Sequence, residues 1–317
     1  MQVALARKAE PDFRSKLTKA LKRCWFYRFL LLLLVPGIIF YVIFSYFPMY
    51  GVIIAFKDYK FTKGILGSSW IGFMHFQRFL NGEAFWEVAR NTVLISSYKL
   101  IFGFPAPIIL ALLLNEVRHS KVKKTIQTIT ALPNFLAWTV LAGILIQLLS
   151  PSLGPINYLI RAVGLDPIYF LGDPKWFRSV LVASSIWKGV GWSSIIYLAS
   201  ISNVNPELYE SATIDGASRF QRAVYITIPS ISNMIVLLFI FNISSLVGDD
   251  FDQIFNLYNT AVYEVGDVIS TYTFRIGITQ MQYSFGAAVG LFLNVISLFL
   301  MFITNFIARR YSDYGIW

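Results

Sequence analysis

Apolar runs of bilayer length constrain this chain more than any other feature. A hydrocarbon core of about 30 Å asks for roughly 20 helical residues, and six stretches qualify: 29–47, 92–114, 130–149, 180–201, 231–247 and 287–307. The first and last are plain. The second is interrupted by Pro105 and Pro107, the third and fourth carry polar and aromatic residues, and the fifth is short and rich in Asn and Ser. Charged residues make up 14% of the chain, against about 25% in soluble domains, so much of the surface faces lipid. The expected fold is all-α, a polytopic membrane protein with six transmembrane helices.

Basic side chains set the orientation. Arg7, Lys8, Arg14, Lys16, Lys19, Lys22, Arg23 and Arg28 precede the first span, and Arg118, Lys121, Lys123 and Lys124 follow the second. By the positive-inside rule both segments are cytoplasmic. The opposite segments are mixed, as in 57–90, or acidic, with Asp249, Asp250, Asp252, Glu264 and Asp267 in 249–267. Six spans then leave both termini in the cytoplasm, with Arg309 and Arg310 just after the last. Three parts are expected: a basic segment 1–28, a permeation domain 29–309, and a tail 310–317.

The formal net charge of +10 is accounted for by this topology and needs no nucleic acid. Phe13, Leu17, Leu21 and Trp25 recur every fourth residue, opposite Arg14, Lys16, Lys19, Lys22 and Arg23. That is a basic amphipathic helix on anionic lipid, or a solvated arm if the charges are merely repelling. The first apolar run begins too late and is too long for a secretory leader and lacks a small-x-small site after it. The one cysteine, Cys24, allows no internal disulfide.

Enzymatic chemistry finds little to work with. The chain has no G-x-x-x-x-G-K-[ST] phosphate loop, HExxH, GxSxG or cysteine cluster, and its two histidines, His75 and His119, fall outside the spans. No metal and no cofactor is expected on this chain.

Residues 207–229, ELYESATIDGASRFQRAVYITIP, form a polar island between spans four and five, on the cytoplasmic side. Asn205-Pro206 reads as an N-cap and first helical residue. Glu207 and Glu210 favour the first turn. The expected helix 206–213 breaks at Asp215-Gly216, Asp215 caps a second helix running through Arg222, and Pro229 marks entry to span five. Two small helices joined at an angle would show one face to a partner, with Ala212, Gly216 and Ala217 allowing close approach and Phe220 as an anchor.

The island resembles the EAA loop of ABC-transporter permeases, in which E-A-A is followed after three residues by G, after nine more by I, and after one more by L-P. Here the matching positions are Glu210-Ser211-Ala212, Gly216, Ile226 and Ile228-Pro229. Ser211 and Ile228 depart from the pattern but keep the size class. PMYGVIIAFKDY (48–59), WIGFMHFQRFL (70–80), Asn91-Thr92, FDQIFNLYN (251–259) and the terminal YGIW are similar to the carbohydrate-uptake branch, in particular its oligosaccharide or polysaccharide-fragment importers.

The resemblance implies a bacterial inner-membrane subunit that pairs with a second homologous permease and with two cytoplasmic ATPases holding ATP and Mg. An external solute-binding protein would deliver the carbohydrate. It further implies that Glu210, Ala212, Asp215, Gly216, Arg219 and Phe220 seat in an ATPase groove and pass on its closure as rigid-body motion. Glu210 could equally serve its own helix.

Sugars are held by hydroxyl hydrogen bonds and aromatic stacking. Trp138, Gln147, Trp187, Trp192, Tyr197, Asn233, Asn242 and Ser245 offer that chemistry on spans three to five, although aromatic belts and helix contacts use the same residue types. Two membrane cations stand out because they are costly there. Lys99 has a stem able to snorkel outward, whereas Lys188, beside Trp187, Gly189, Gly191 and Trp192, is expected to face the bundle. The outer segments 70–86 and 251–263 are candidates to meet the delivery protein. Two other classes use part of this pattern. An ion-coupled carrier needs membrane carboxylates and repeats, and no span has a central Asp or Glu. A non-transporting scaffold or sensor could dock an ATPase through the same loop.

Overall fold

The computed structural model describes residues 22, 25–245 and 251–311, without the side chains of 244, 245, 308 and 311. Most of the N-terminal amphipathic stripe, Cys24, Asp249, Asp250 and the YGIW end lie outside the described residues. The described chain is almost entirely helical and divides into two units, Met1–Ile53 and Ile54–Trp317.

In the first unit, α1 (Arg28–Tyr41) is apolar all round and none of its residues is buried, as suits a helix surrounded by lipid. The helical path continues past it through a π turn, Val42–Tyr46, so that the candidate span runs Arg28–Phe56, longer than the expected 29–47.

In the second unit, a two-stranded antiparallel ladder (β1, Lys57–Asp58; β2, Ser69–Trp70) leads into α2 (Met74–Leu80). The second span is α3 (Glu83–Tyr98), a π turn Lys99–Gly103, and α4 (Pro105–Asn115), together long enough to cross a bilayer. It starts earlier than expected. Further π turns lie at Ala223–Thr227 and Arg275–Thr279. Among the described residues, three of the four π turns hold the residue four before a proline: Phe44 before Pro48, Ile101 before Pro105, Tyr225 before Pro229. A proline ring crowds that carbonyl in a regular α-helix, and the wider turn makes room without ending the helix.

The third expected span is broken. α5 (Ser120–Ala131) and a 3₁₀ turn Leu132–Phe135 meet α6 (Trp138–Leu148) at a bend of 105°. A short α7 (Pro155–Ala162) follows, then the 28-residue α8 (Pro174–Ile201), started by Asp173, whose side chain accepts from the Lys175 amide. Beyond α9 and α10, described below, α11 (Ser232–Ser245) meets the preceding helix at 68°. α12 (Phe251–Leu257), α13 (Ile269–Phe274) and α14 (Tyr283–Tyr311) complete the chain. Among the described residues, three helices are long and apolar enough to cross a membrane, or five if each bent pair is one span. α8 matches the fourth expected span in position, but its Lys188, glycines and serines keep it out of that group.

α8 is the organising helix. Its Phe177 and Leu181 join Ile95, Leu145, Ile254 and Val268 in one buried cluster, and its Tyr197, Leu198 and Ile201 join Ala111, Leu114 and Ile231 in another. A third cluster packs Phe79 and Val88 against Phe285, Val289 and Leu293 of α14. Close approach is built in at Gly191, where an added Cβ would lie 2.1 Å from the Thr130 backbone.

Buried amides and cations sew the bends into this core. Asn91 donates to the carbonyls of Glu264 (2.9 Å) and Asp267 (3.0 Å) and accepts from Arg178 Nη2 (2.8 Å). Gln253 donates to Leu181 O (2.7 Å) and Ser184 Oγ (2.8 Å) and accepts from Lys99. Lys99 therefore reaches α12 and does not snorkel: the buried Gln253 carbonyl offers a nearer partner. Arg275 pairs with Asp267 at 2.5 Å and lies 4.7 Å from the Tyr263 ring. Burial works against the Arg275 charge, but the hydrogen bond and attraction of Asp267 outweigh it and hold the guanidinium above its ordinary range.

Candidate functional site

The island folds as two short helices. α9 (Pro206–Ile214) is opened by Asn205, whose side chain accepts from the Glu207 amide at 3.1 Å, with Pro206 at the first position. It ends as the composition of 215–217 dictates. Gly216 takes φ +79°, its amide donates to Thr213 O (3.2 Å), and the Ala217 amide donates to Ala212 O (2.9 Å). This pair of bonds is a Schellman ending, which requires a left-handed residue where only glycine is unstrained. Nothing lies within 4 Å of a Cβ added at Gly216, so the requirement within this chain is conformational and not steric.

α10 (Arg219–Arg222) is capped by Ser218, not by Asp215. Ser218 Oγ accepts from the Gln221 amide while Gln221 Oε1 accepts from the Ser218 amide, a reciprocal capping box. Asp215 instead closes α9, because the Schellman turn spends two more residues before the chain can restart a helix. Three bonds pin the pair. Arg222 Nη1 donates to Thr213 Oγ1 (2.7 Å), Tyr209 and the buried Thr227 share a hydroxyl bond of 2.9 Å, and Arg219 Nε lies 3.6 Å from Glu116 Oε2 beyond α4.

Glu210, Asp215, Gly216, Arg219 and Phe220 are exposed, and Ala212 is half-buried. Glu210 makes no hydrogen bond or ion pair among the described residues, so α9 does not use it as a cap. Phe220 is 77% exposed, and so is an apolar neighbour that sequence reasoning passed over, Ile214, at 87%. Two such side chains presented to water by a rigid turn are anchors without a pocket. Ile214 was hidden because an isoleucine at the end of an apolar-periodic helix reads as core.

The expected pathway residues separate into groups. Lys188 Nζ donates to Asn134 O (3.1 Å) and to Leu136 O, and its ammonium sits 5.4 Å from the Trp138 ring. It thus closes the C-terminal end of the 3₁₀ turn at the break in span three, where the free carbonyls and helix dipole favour a cation. Trp192 meets Phe135 edge-on at 5.5 Å, so Trp138, Lys188, Trp192 and Phe135 form one polar-aromatic face around that break. Trp187 lines a separate apolar cleft of about 420 Å³ with Leu145, Phe170 and Trp176. Gln147 and Asn233 are exposed on α6 and α11, and Asn242 donates to Leu238 O of its own helix. Tyr197 is 2% exposed in the packing of α4, α8 and α11, away from any open face. The side chain of Ser245 lies outside the described residues.

Segment 251–263 does not form a free loop: Gln253, Ile254 and Leu257 are buried, and Asn259 donates to Leu171 O at 2.8 Å. In 70–86, by contrast, Trp70, Phe73 and Trp86 are well exposed. Asn157 is a further residue that sequence reasoning missed. It is fully buried and donates to the carbonyls of Leu149, Ser150 and Ile168 while accepting from the Ile168 amide. A single amide in a short helix carries no periodicity that would reveal such a role.

Residues 103–313 match the family model described as the binding-protein-dependent transport system inner membrane component. Protein LplB of Bacillus subtilis is 43% identical over 298 residues, covering 94% of this chain and 92% of that protein. The polygalacturonan/rhamnogalacturonan transport system permease protein YteP of the same organism is 39% identical, covering 92% and 90%. Among solved structures, a chain of a bacterial alginate ABC transporter in complex with an alginate pentasaccharide-bound periplasmic protein superposes with TM-score 0.86 and 40% identity, over 95% of this chain and 100% of that one. A loop built to present Ile214 and Phe220, apolar helices of bilayer length, and likeness along nearly the whole chain agree: the protein belongs to the family of inner membrane components of binding-protein-dependent transport systems.

Proposed function

We propose that this chain is one permease subunit of an ATP-driven importer, forming half of the translocation pathway for a carbohydrate of oligosaccharide size. The observation that carries this reading is the 205–229 loop, in which a capped helix, a Schellman turn at Gly216 and a capping box leave Phe220 and Ile214 exposed. Such a loop suits a groove on a partner. The carbohydrate assignment is supported by relatives whose names specify saccharide transport, at 39% identity for YteP and 40% for the alginate transporter chain.

In this reading the loop lies in the cytoplasm with both termini, and six membrane passages include the bent third and fifth. A second, homologous permease completes the pathway, and two cytoplasmic ATPases hold ATP and Mg. An external solute-binding protein delivers the sugar to the outer side, where Trp70, Phe73 and Trp86 are available. Glu210, Ala212, Asp215, Gly216, Arg219 and Phe220 engage the ATPase, joined by Ile214. Coupling works by differential contact: a groove that holds the loop in one ATPase state and shifts it in another biases the spans it is rigidly joined to. The Arg219–Glu116 pair and the Tyr209–Thr227 bond make that joint. On the pathway side, Trp138, Lys188 and Trp192, together with Gln147, Trp187, Asn233, Asn242 and Ser245, are the candidates to supply the aromatic and polar groups that a sugar uses.

The test is uptake into proteoliposomes holding the permease pair and its ATPases, with a saccharide-loaded binding protein outside. Uptake should require ATP inside, and Phe220→Asp together with Ile214→Asp should abolish both ATPase copurification and uptake. Uptake driven by an ion gradient without ATP, or ATPase capture by the doubly substituted loop, would sink this reading.

A further inference from the structure

The outer part of α8 faces α3 and the π turn after it across a cleft of about 610 Å³. Tyr98 and Phe102 form one wall, and Lys175, Arg178, Ser179 and Ile186 belong to the other. Arg178 is held in place by two bonds, Nε to Val265 O at 3.1 Å and Nη2 to Asn91 Oδ1 at 2.8 Å. Lys175 is exposed, and neither cation makes an ion pair with a carboxylate among the described residues. Of the nearby acids, Glu87 and Glu264 stand with Arg90 in a separate cleft, from which Glu264 attracts and Arg90 repels the Arg178 charge, and Asp173 accepts from the Lys175 backbone amide and not from its ammonium.

This charge is not what the topology calls for. Basic residues collect on cytoplasmic segments, whereas this pair lies where the chain re-enters from the side on which loops are mixed or acidic. A neutral sugar can accept hydrogen bonds from a guanidinium or an ammonium but has no charge to pair with theirs. A carboxylate has one: charge-assisted bonds to Arg and Lys are shorter and about twice as strong as neutral ones, and a partly desolvated cleft strengthens them further. The aromatic wall suits the apolar face of a pyranose ring. A fixed Arg with an exposed Lys in the same cleft fits a chain of repeating carboxylates that must be held and then passed on.

Resting on the carbohydrate reading above, we propose that the Lys175–Arg178 cleft with Tyr98 and Phe102 is an entry site for uronate residues, so that this permease favours acidic over neutral oligosaccharides.

The test uses Lys175, which is exposed and carries no structural bond through its ammonium; Arg178 is left alone because it holds Asn91. The full complex in proteoliposomes, with its binding protein, is offered radiolabelled pentamers of galacturonate and of alginate, and the same pentamers methyl-esterified. Lys175→Glu should lower uptake of the acidic pentamers by about tenfold or more, the loss of one charge-assisted contact and its reversal. The loss should appear mainly as a raised KM and should spare the methyl esters, while Lys175→Arg restores the acidic pentamers. The proposal is overturned if the acidic pentamers enter the Lys175→Glu complex at the unaltered rate, or if both forms fall together. It is equally overturned if wild type prefers the esters, or if the substitution changes only the amount of bound phosphatidylglycerol, which would make the cleft a lipid headgroup site. Failure of the wild-type complex to take up any pentamer, acidic or esterified, would bring down the carbohydrate reading itself and this inference with it.

Discussion

Two of the chain's sharp bends are held by different means. At Gly216 the turn between α9 and α10 is closed by partners within six residues: Ala217 to Ala212, Gly216 to Thr213, Ser218 with Gln221. At the 3₁₀ turn Leu132–Phe135 the carbonyls of Asn134 and Leu136 are taken by Lys188, more than fifty residues away on α8. The first bend is a property of its own segment and can move as a unit. The second exists only when two helices are already packed, so it belongs to the core. In the proposed reading, a loop that carries force to another protein suits the first design, and a break beside the pathway suits the second.

The largest effect is expected at Lys188. Lys188→Met leaves two turn carbonyls without their donor inside the membrane domain, and hydrogen bonds to charged groups contribute about 1.5–3 kcal/mol each. A loss of about 3 kcal/mol is expected, read as a fall of several degrees in the unfolding temperature of the purified protein, with Lys188→Arg recovering most of it. If Lys188→Met unfolds at the wild-type temperature, the turn at Leu132–Phe135 is self-sufficient and the contrast with Gly216 fails. Asn157→Leu tests the same principle one bend later. Stranding the Ile168 amide and three carbonyls should cost about 2 kcal/mol by the same measurement, with little effect on ATPase copurification.

These two residues also mark where the sequence stopped being informative. Asn205-Pro206, Asp215-Gly216 and Pro229 were legible because caps and turns follow from the residues that form them, and α9 falls within one residue of its expected end. Only the second cap was misassigned, to Asp215 instead of Ser218, since an Asp before a Gly looks equally able to start a helix. The bend of 105° in span three was not legible. Pro133 hinted at it, but Pro107 sits inside an unbroken helix, and what separates the two cases is a lysine on another span. Nor were the buried roles of Gln253, Asn91 and Arg178: single polar residues become visible only when their partners are known. The π turns lie between these extremes, since each proline announces a disturbed carbonyl four residues earlier without saying whether the helix will widen or stop.

Gly216 is the corresponding point in the self-contained bend. A non-glycine residue at φ +79° costs roughly 1–2 kcal/mol. Gly216→Val should therefore loosen the loop and reduce ATPase copurification, while the unfolding temperature of the spans stays near wild type. Gly216→Asn tolerates the left-handed region and should keep the turn. Because a side chain here has open space within the chain, failure of Gly216→Asn to bind the ATPase would mean that the partner's surface comes down onto the bare backbone. Ser218→Ala removes one half of the capping box and should cost about 1 kcal/mol, confined to the loop, seen as faster amide exchange at Gln221 and Arg222.

The smallest effect on stability is expected at the joint between loop and span. Arg219 and Glu116 are 3.6 Å apart with both side chains well exposed, and such pairs contribute about 0–1 kcal/mol because water screens the attraction and both chains lose freedom. Arg219→Gln should leave the unfolding temperature unchanged within about one degree on that scale. Its effect on coupling need not be small. If the pair transmits motion from loop to α4, Arg219→Gln should bind ATPase normally yet give less uptake per ATP hydrolysed, and Glu116→Gln should do the same. A double substitution that is no worse than either single one would place both residues on one path, whereas additive losses would mean that Arg219 contacts the ATPase directly and the joint lies elsewhere.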